Sequence, residues 1–166
     1  MIERIQKAVV EELPLKKIKE HIKKRENLHL NGFTGSSLSF LFKKLQEFSG
    51  SVLFITSDDE RAAAVASDLQ QLKSNGVNFF PSTRRKPYDD QRIPDLSVMV
   101  QRSEVLDEIV KSDSFFVAAS IDAIIEKLVP AEEFNKSSIL LEKGQTISPD
   151  KLAEQLADQG YEAERF

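Results

Sequence analysis

Leu28-His29-Leu30-Asn31-Gly32-Phe33-Thr34-Gly35-Ser36-Ser37-Leu38-Ser39-Phe40-Leu41 is the stretch on which the reading of this chain turns. It predicts a short apolar strand, a Gly/Ser turn, and a helix with apolar residues at Leu38, Leu41, Phe42, Leu45 and Phe48. Strand, turn and helix in that order are what a phosphate-cradling loop requires, and the pattern G-x-x-x-x-G-K-[ST] can be laid over it. Gly32 falls on the first glycine and Ser39 on the hydroxyl that would hold Mg²⁺, with Gly35 between them. Ser37 stands where the second glycine belongs, and Leu38 where the lysine belongs.

A lysine about 4 Å from a phosphate oxygen is worth on the order of 4 kcal/mol at an effective dielectric of ~20. That is roughly a thousandfold in affinity. Serine in place of glycine costs a further ~1–2 kcal/mol wherever the backbone must be left-handed. Leu38 also puts an isobutyl group where an anion would sit. The same residues read equally as an ordinary helix start, with Ser36 or Ser37 as N-cap and Gly50 after the last turn. On either reading the loop does not bind ATP usefully, and no cofactor is expected.

Outward from this turn, four apolar segments alternate with helical patterns. The strands expected are the one ending at Leu30, then Val52-Leu53-Phe54-Ile55, Val77-Asn78-Phe79-Phe80 and Phe115-Phe116-Val117-Ala118-Ala119. Continuously apolar strands suit a parallel sheet covered by helices on both faces, so the fold class is α/β. Ser57 with Glu60 reads as a capping box opening the helix that carries Ala62, Val65, Leu69 and Leu72. A later helix is expected to turn Met99, Leu106, Ile109 and Val110 inward. Ser120 should cap a short helix bearing Ile121, Ile124, Ile125 and Leu128.

At the N-terminus, Ile2, Ile5 and Val9 share a helical face; Pro14 interrupts it, and Leu15, Ile18 and Ile22 resume it. Between Ser82 and Pro94 lies the longest irregular stretch, with Arg84-Arg85-Lys86 and Asp89-Asp90 around Tyr88. Composition changes after Pro130. Ile139-Leu140-Leu141 reads as a new strand, and Ser148-Pro149 opens a helix that turns Leu152 and Leu156 inward and ends at Gly160. Tyr161 begins what looks like a further strand. One strand and one helix bury no core, so this second unit is expected to be cut short. The division expected is 1–26, an N-terminal helical segment; 27–130, the α/β domain; and 131–166, the start of a small α+β domain.

Composition excludes several classes of chemistry. The 166 residues contain no cysteine, which removes disulfides, thiolate nucleophiles and zinc–thiolate sites. His21 and His29 are the two histidines, and neither lies in a ligand or triad spacing. Asp58-Asp59 falls at a helix N-terminus, where acids suit the dipole. No catalytic or metal-binding residue is therefore assigned. No apolar run reaches membrane-spanning length and no signal-peptide core is present, so a cytoplasmic location is expected. The net charge is −4, but residues 1–25 carry eight basic and four acidic side chains, leaving an acidic remainder. Such a body is a poor nucleic-acid binder by itself.

Several segments in register resemble one family, the N-terminal UvrB-homology module of the bacterial transcription–repair coupling factor. Gly32-Phe33-Thr34-Gly35-Ser36 resembles that family's GxTGS turn, and Pro87-Tyr88-Asp89 its LPYD loop. Arg102 with Leu106 resembles the helix after that loop, and Val117-Ala118-Ala119-Ser120 its VVAS strand end. Lys143-Gly144-Gln145, with Ile147, Leu152, Leu156 and Gly160-Tyr161, resembles the start of its inserted second domain. The resemblance runs from about Leu28 to the end of the chain.

It implies a P-loop-NTPase or helicase-like domain whose nucleotide loop has decayed. It further implies a second domain that binds UvrA, recruiting it to lesions where RNA polymerase has stalled. The remainder of a longer parent chain would be a partner, and RNA polymerase and DNA would be met only through that parent. No membrane partner is implied. The chain would then be an N-terminal piece of a larger motor protein and not itself an enzyme. The alternative is a fragment of a UvrB-like helicase-type ATPase in nucleotide excision repair. UvrB, however, keeps the P-loop lysine and carries a long aromatic β-hairpin where this chain has only 82–94.

Overall fold

Phe116–Ser120 is the strand about which the sheet is built, and every one of its residues is buried. In a computed structural model, residues 14–72, 76–83, 95–136, 139, 141, 143–158 and 161 are described. They form α1 (Leu15–Lys23), α2 (Ser37–Ser49), β1 (Val52–Thr56), α3 (Asp59–Gln71), β2 (Val77–Phe80), α4 (Leu96–Lys111) and β3 (Phe116–Ser120). Then follow α5 (Ile121–Ile125), α6 (Ala131–Lys136) and α7 (Pro149–Asp158). The chain divides into two compact units, Met1–Lys127 and Leu128–Phe166.

In the first unit the sheet is parallel with order β1-β3-β2. Val52 pairs with Phe116 and Thr56 with Ser120, while Val77 and Phe80 pair with Phe116 and Ala119 from the other side. This is an α/β fold, a three-stranded parallel sheet flanked by helices. Phe116 and Ala118 point to one face, where Ala62, Ala66 and Leu69 of α3 close over them and Phe42 of α2 joins from beside Phe54. Val117 and Ala119 point to the other face, under Val105 of α4 and Ala123 of α5. Ala118 of β3 and Ala62 and Ala66 of α3 let the helix approach the sheet closely, and all three are almost wholly removed from water.

The turn before β2 needs a glycine. Gly76 has φ +58°, and a Cβ there would lie 3.2 Å from the carbonyl oxygen of Ser114. Its own carbonyl accepts the Phe116 N–H at 2.7 Å, so the close approach is what starts the β2–β3 pairing.

Four expectations for the first unit are corrected. Residues 28–30 form no strand, and Leu28 and Leu30 are exposed. The three residues pair with neither β1 nor β2, the outer strands of the sheet, and extended residues without a ladder partner do not make a strand. Second, β1 is not covered on both faces: Leu53 is 52% and Ile55 46% exposed. These two share a face with Val117 and Ala119, but α4 on that side packs against β2. Third, α4 is rotated from its expected setting. Arg102 and Val105 are its buried residues, Leu106 and Ile109 pack beside them, and Met99 and Val110 are exposed. Fourth, Asp58, not Ser57, caps α3, accepting the Arg61 N–H at 2.8 Å; Ser57 instead donates to Asp58.

Other expectations hold. Ser120 caps α5 through the Ala123 N–H, but the helix ends at Ile125, short of the expected Leu128; its buried residue is Ala123, with Ile121, Ile124 and Ile125 exposed. In α1 Ile18 is buried, with Leu15 and Ile22 beside it partly so. In the second unit α7 starts at Pro149 with Leu152 and Leu156 half-buried. The strands expected at Ile139-Leu140-Leu141 and from Tyr161 do not hold: Ile139, Leu141 and Tyr161 are in no strand, and helix is the only regular structure among the described residues of that unit. The expected Ile2–Val9 helical face, the Pro87-Tyr88-Asp89 loop, Leu140, Gly160 and the residues after Tyr161 lie outside the described residues.

Candidate functional site

The Gly32–Ser39 turn closes on itself. Gly32 and Gly35 both have positive φ, +86° and +53°, which is where the loop's left-handed residues sit. Ser37 is already helical, so the expected steric cost of a serine there does not arise. Its hydroxyl instead accepts the Thr34 N–H at 2.9 Å, and its own N–H donates to the Thr34 carbonyl at 3.2 Å. The Ser39 N–H reaches the Ser36 carbonyl at 3.0 Å. A phosphate-binding loop works by leaving such N–H groups aimed at the ligand; here Thr34 and Ser39 have theirs engaged.

Ser39 and Leu38, which the overlaid pattern sets at its hydroxyl and lysine positions, are used elsewhere. The Ser39 side chain is buried at 1% exposure and donates to Asp68 Oδ2 of α3 at 3.3 Å. It belongs to the α2–α3 contact, not to the loop. Leu38 is half-buried, and Leu41 one turn later is the residue sealed in the interior. The first cations of α2 are committed too: Lys43 donates to the Leu72 carbonyl at the end of α3, and Lys44 pairs with Glu47.

A second polar cluster lies at the carboxyl ends of the strands, the edge where open parallel sheets bind ligands. Asp59, the first residue of α3, accepts from the Ser120 hydroxyl at 2.5 Å and the Ser82 hydroxyl at 2.7 Å. The Ser82 N–H also lies 3.2 Å from its carboxylate. Glu126, at the end of α5, takes the Thr83 N–H at 2.8 Å and its hydroxyl at 3.1 Å. Its other oxygen pairs with Arg102 at 3.0 Å.

Arg102 donates on to the Pro81 carbonyl at 2.6 Å and lies 4.1 Å above the Phe80 ring. Burial pushes its basicity down, and the charges of Glu126 and Asp59 oppose that shift. The serine and threonine hydroxyls at this edge are thus spent on the protein's own carboxylates. Among the described residues no group of three or more His, Asp or Glu side chains could hold a metal ion.

Sequence reasoning placed the Gly32, Gly35, Ser37, Leu38 and Ser39 turn at the start of α2, where the structure has it, but missed the second cluster. Asp59 was read as a dipole-favoured acid, and Ser82, Thr83 and Glu126 were assigned nothing. A signal did exist. Ser82 and Ser120 both follow buried runs at strand ends, and Arg102 falls on the inward stripe of α4, where a charge demands a partner.

The fold and these contacts define an α/β domain of the open parallel-sheet class whose polar groups at the strand ends are satisfied internally. No family profile matches the chain. It is similar to the transcription-repair-coupling factor of Bacillus subtilis, 28% identical over 135 residues, covering 80% of this chain and 11% of that protein. The coupling factor of Borreliella burgdorferi is 23% identical over 152 residues, covering 89% of this chain and 13% of its own. That of Escherichia coli is 22% identical over 141 residues, covering 84% of this chain and 12% of its own. The chain therefore spans little more than a tenth of the length of the relatives it matches, and the similarity is distant. No described helix is long and apolar enough to cross a membrane.

Proposed function

We propose that the chain is a non-catalytic interaction module of a transcription-coupled DNA repair translocase, corresponding to its N-terminal UvrB-homology region. The observation that carries this reading is the Gly32–Ser39 turn. The loop has the glycines and helix of a nucleotide site, yet Leu38 replaces the cation, Ser37 closes the turn and Ser39 is turned to Asp68. The similarity to several coupling factors supports the repair context.

In this account residues 27–130 are a decayed helicase-like domain, and 131–166 are the beginning of a domain that recruits UvrA in the cytoplasm. Contact with RNA polymerase and DNA is left to other parts of a longer protein. The test is a surface-based titration of UvrA against this chain, with the N-terminal region of the Bacillus subtilis coupling factor as comparator. Saturable binding to both, at least about tenfold weaker for this chain, is the expected result. Binding to the comparator alone contradicts the recruiting role.

A further inference from the structure

Two asparagines of the chain precede glycine, Asn31 and Asn75, whereas Asn27, Asn78 and Asn135 precede leucine, phenylalanine and lysine. A following residue without a Cβ lets its backbone nitrogen swing into the asparagine's own side chain. The two Asn-Gly pairs are set differently. From Asn27 to Phe33 no backbone group is hydrogen-bonded to another described residue, and Asn31 and Gly32 are both exposed. Gly32 has φ +86°, and no atom lies within 4 Å of where a Cβ would stand. Gly76 is held instead. Its carbonyl accepts the Phe116 N–H at 2.7 Å, and a Cβ there would lie 3.2 Å from the Ser114 carbonyl oxygen and 3.5 Å from the Glu108 carboxylate.

We propose that Asn31 is a site of spontaneous deamidation, closing on Gly32, while the sheet holds back the pair at Asn75-Gly76. The Gly32 nitrogen gives up its proton to base and attacks the carbonyl carbon of the Asn31 side chain. A nitrogen–carbon bond closes a succinimide ring, and the bond from that carbon to the side-chain nitrogen breaks. Ammonia leaves, carrying a proton in place of the one lost. Water, the only co-reactant, then opens the ring at either carbonyl and leaves aspartate or isoaspartate at position 31. At Asn75 the same attack requires Gly76 to turn out of its packed setting and release Phe116, which slows it by about tenfold or more. Conversion places a new negative charge beside the first glycine of the Gly32–Ser39 turn, on a loop that gives up no hydrogen bond in the change.

Peptide mapping by mass spectrometry tests this on the full 166-residue chain, aged in warm, mildly alkaline buffer. Isoaspartate is counted separately by enzymatic carboxyl methylation. Conversion at Asn31 should outrun that at Asn75 by at least about tenfold. In strong urea, with the sheet gone, the two pairs should react at similar rates. Gly32→Ala should slow the reaction at Asn31, and Asn31→Gln should remove the fast-forming product. The aged chain should keep its urea midpoint, since opening of a loop leaves the rest of the fold protected. Equal native rates, or faster conversion at Asn75, overturn the assignment. So does a preference for Asn31 that persists in urea, because the fold would then select nothing. Unslowed conversion in Gly32→Ala excludes ring closure on Gly32, and a lowered midpoint in the aged chain contradicts the loop's independence from the core.

Discussion

The hydroxyl of Ser39 donates to Asp68 across the contact between α2 and α3, 3.3 Å away and shut off from water. The residue that would hold Mg²⁺ in an intact loop is here a structural tie between two helices. Ser39→Ala should therefore destabilise the fold by roughly 1 kcal/mol, the net worth of one such bond, with a part-buried carboxylate left short of a donor. Urea unfolding monitored by circular dichroism measures it. An unchanged midpoint would mean that the hydroxyl holds nothing together.

Leu41 and Leu38 separate cleanly in burial, and truncation should separate them in stability. Leu41 is 1% exposed, so Leu41→Ala should cost ~2–5 kcal/mol. Leu38 is only half-buried, and Leu38→Ala should cost less than half as much. Equal losses in thermal or urea unfolding would mean that Leu38 fills the interior after all.

Asn78 on β2 has its side-chain nitrogen buried without a hydrogen-bond partner. Removing an unsatisfied buried amide recovers roughly 1–3 kcal/mol of desolvation, and a β-branched residue suits the strand. Asn78→Val should raise the unfolding midpoint in urea without changing the slope. A lowered midpoint would show that the amide is working where it stands.

How much was legible in the sequence follows from which forces set each element. β2, β3, the cap at Ser120 and the helix start at Pro149 were readable because composition and local chain chemistry decide them. The strand at 28–30 was not, because an apolar triplet becomes a strand only if it pairs with a sheet edge, here β1 or β2, and its own residues do not show whether it will. The setting of α4 was misread because its periodicity was fitted to Met99 and Val110, whereas Arg102 turns inward to meet Glu126 and Pro81. That pairing spans residues far apart in the chain, and no local pattern encodes it. The glycine-rich turn before α2 was legible by its residue types; the use of its hydroxyls was not, since Asp68 lies on the next helix.

Helix caps give the stability a pH dependence of known sign. The Ser57 hydroxyl and then the Arg61 N–H hold the Asp58 carboxyl below the usual aspartate range. The Ser97 hydroxyl and N–H do the same for Asp95. A carboxyl depressed in the folded state contributes stability that is full above its unfolded pKa and is lost as pH falls through the folded one. The difference in thermal midpoint between wild type and Asp58→Asn should be constant near neutrality and shrink only below the ordinary aspartate range. A difference that vanishes already at pH values well above that range would contradict the capping role.

The central claim is that the Gly32–Ser39 turn keeps the outline of a nucleotide loop without its function, and calorimetric titration with Mg-ATP tests it most directly. With Leu38 in the lysine position and the Thr34 N–H engaged by Ser37, no heat of binding should appear at micromolar nucleotide. A dissociation constant of about 1 μM would mean ~8 kcal/mol of binding free energy. That result would contradict the account, because the turn as built has no free cation of its own to supply it.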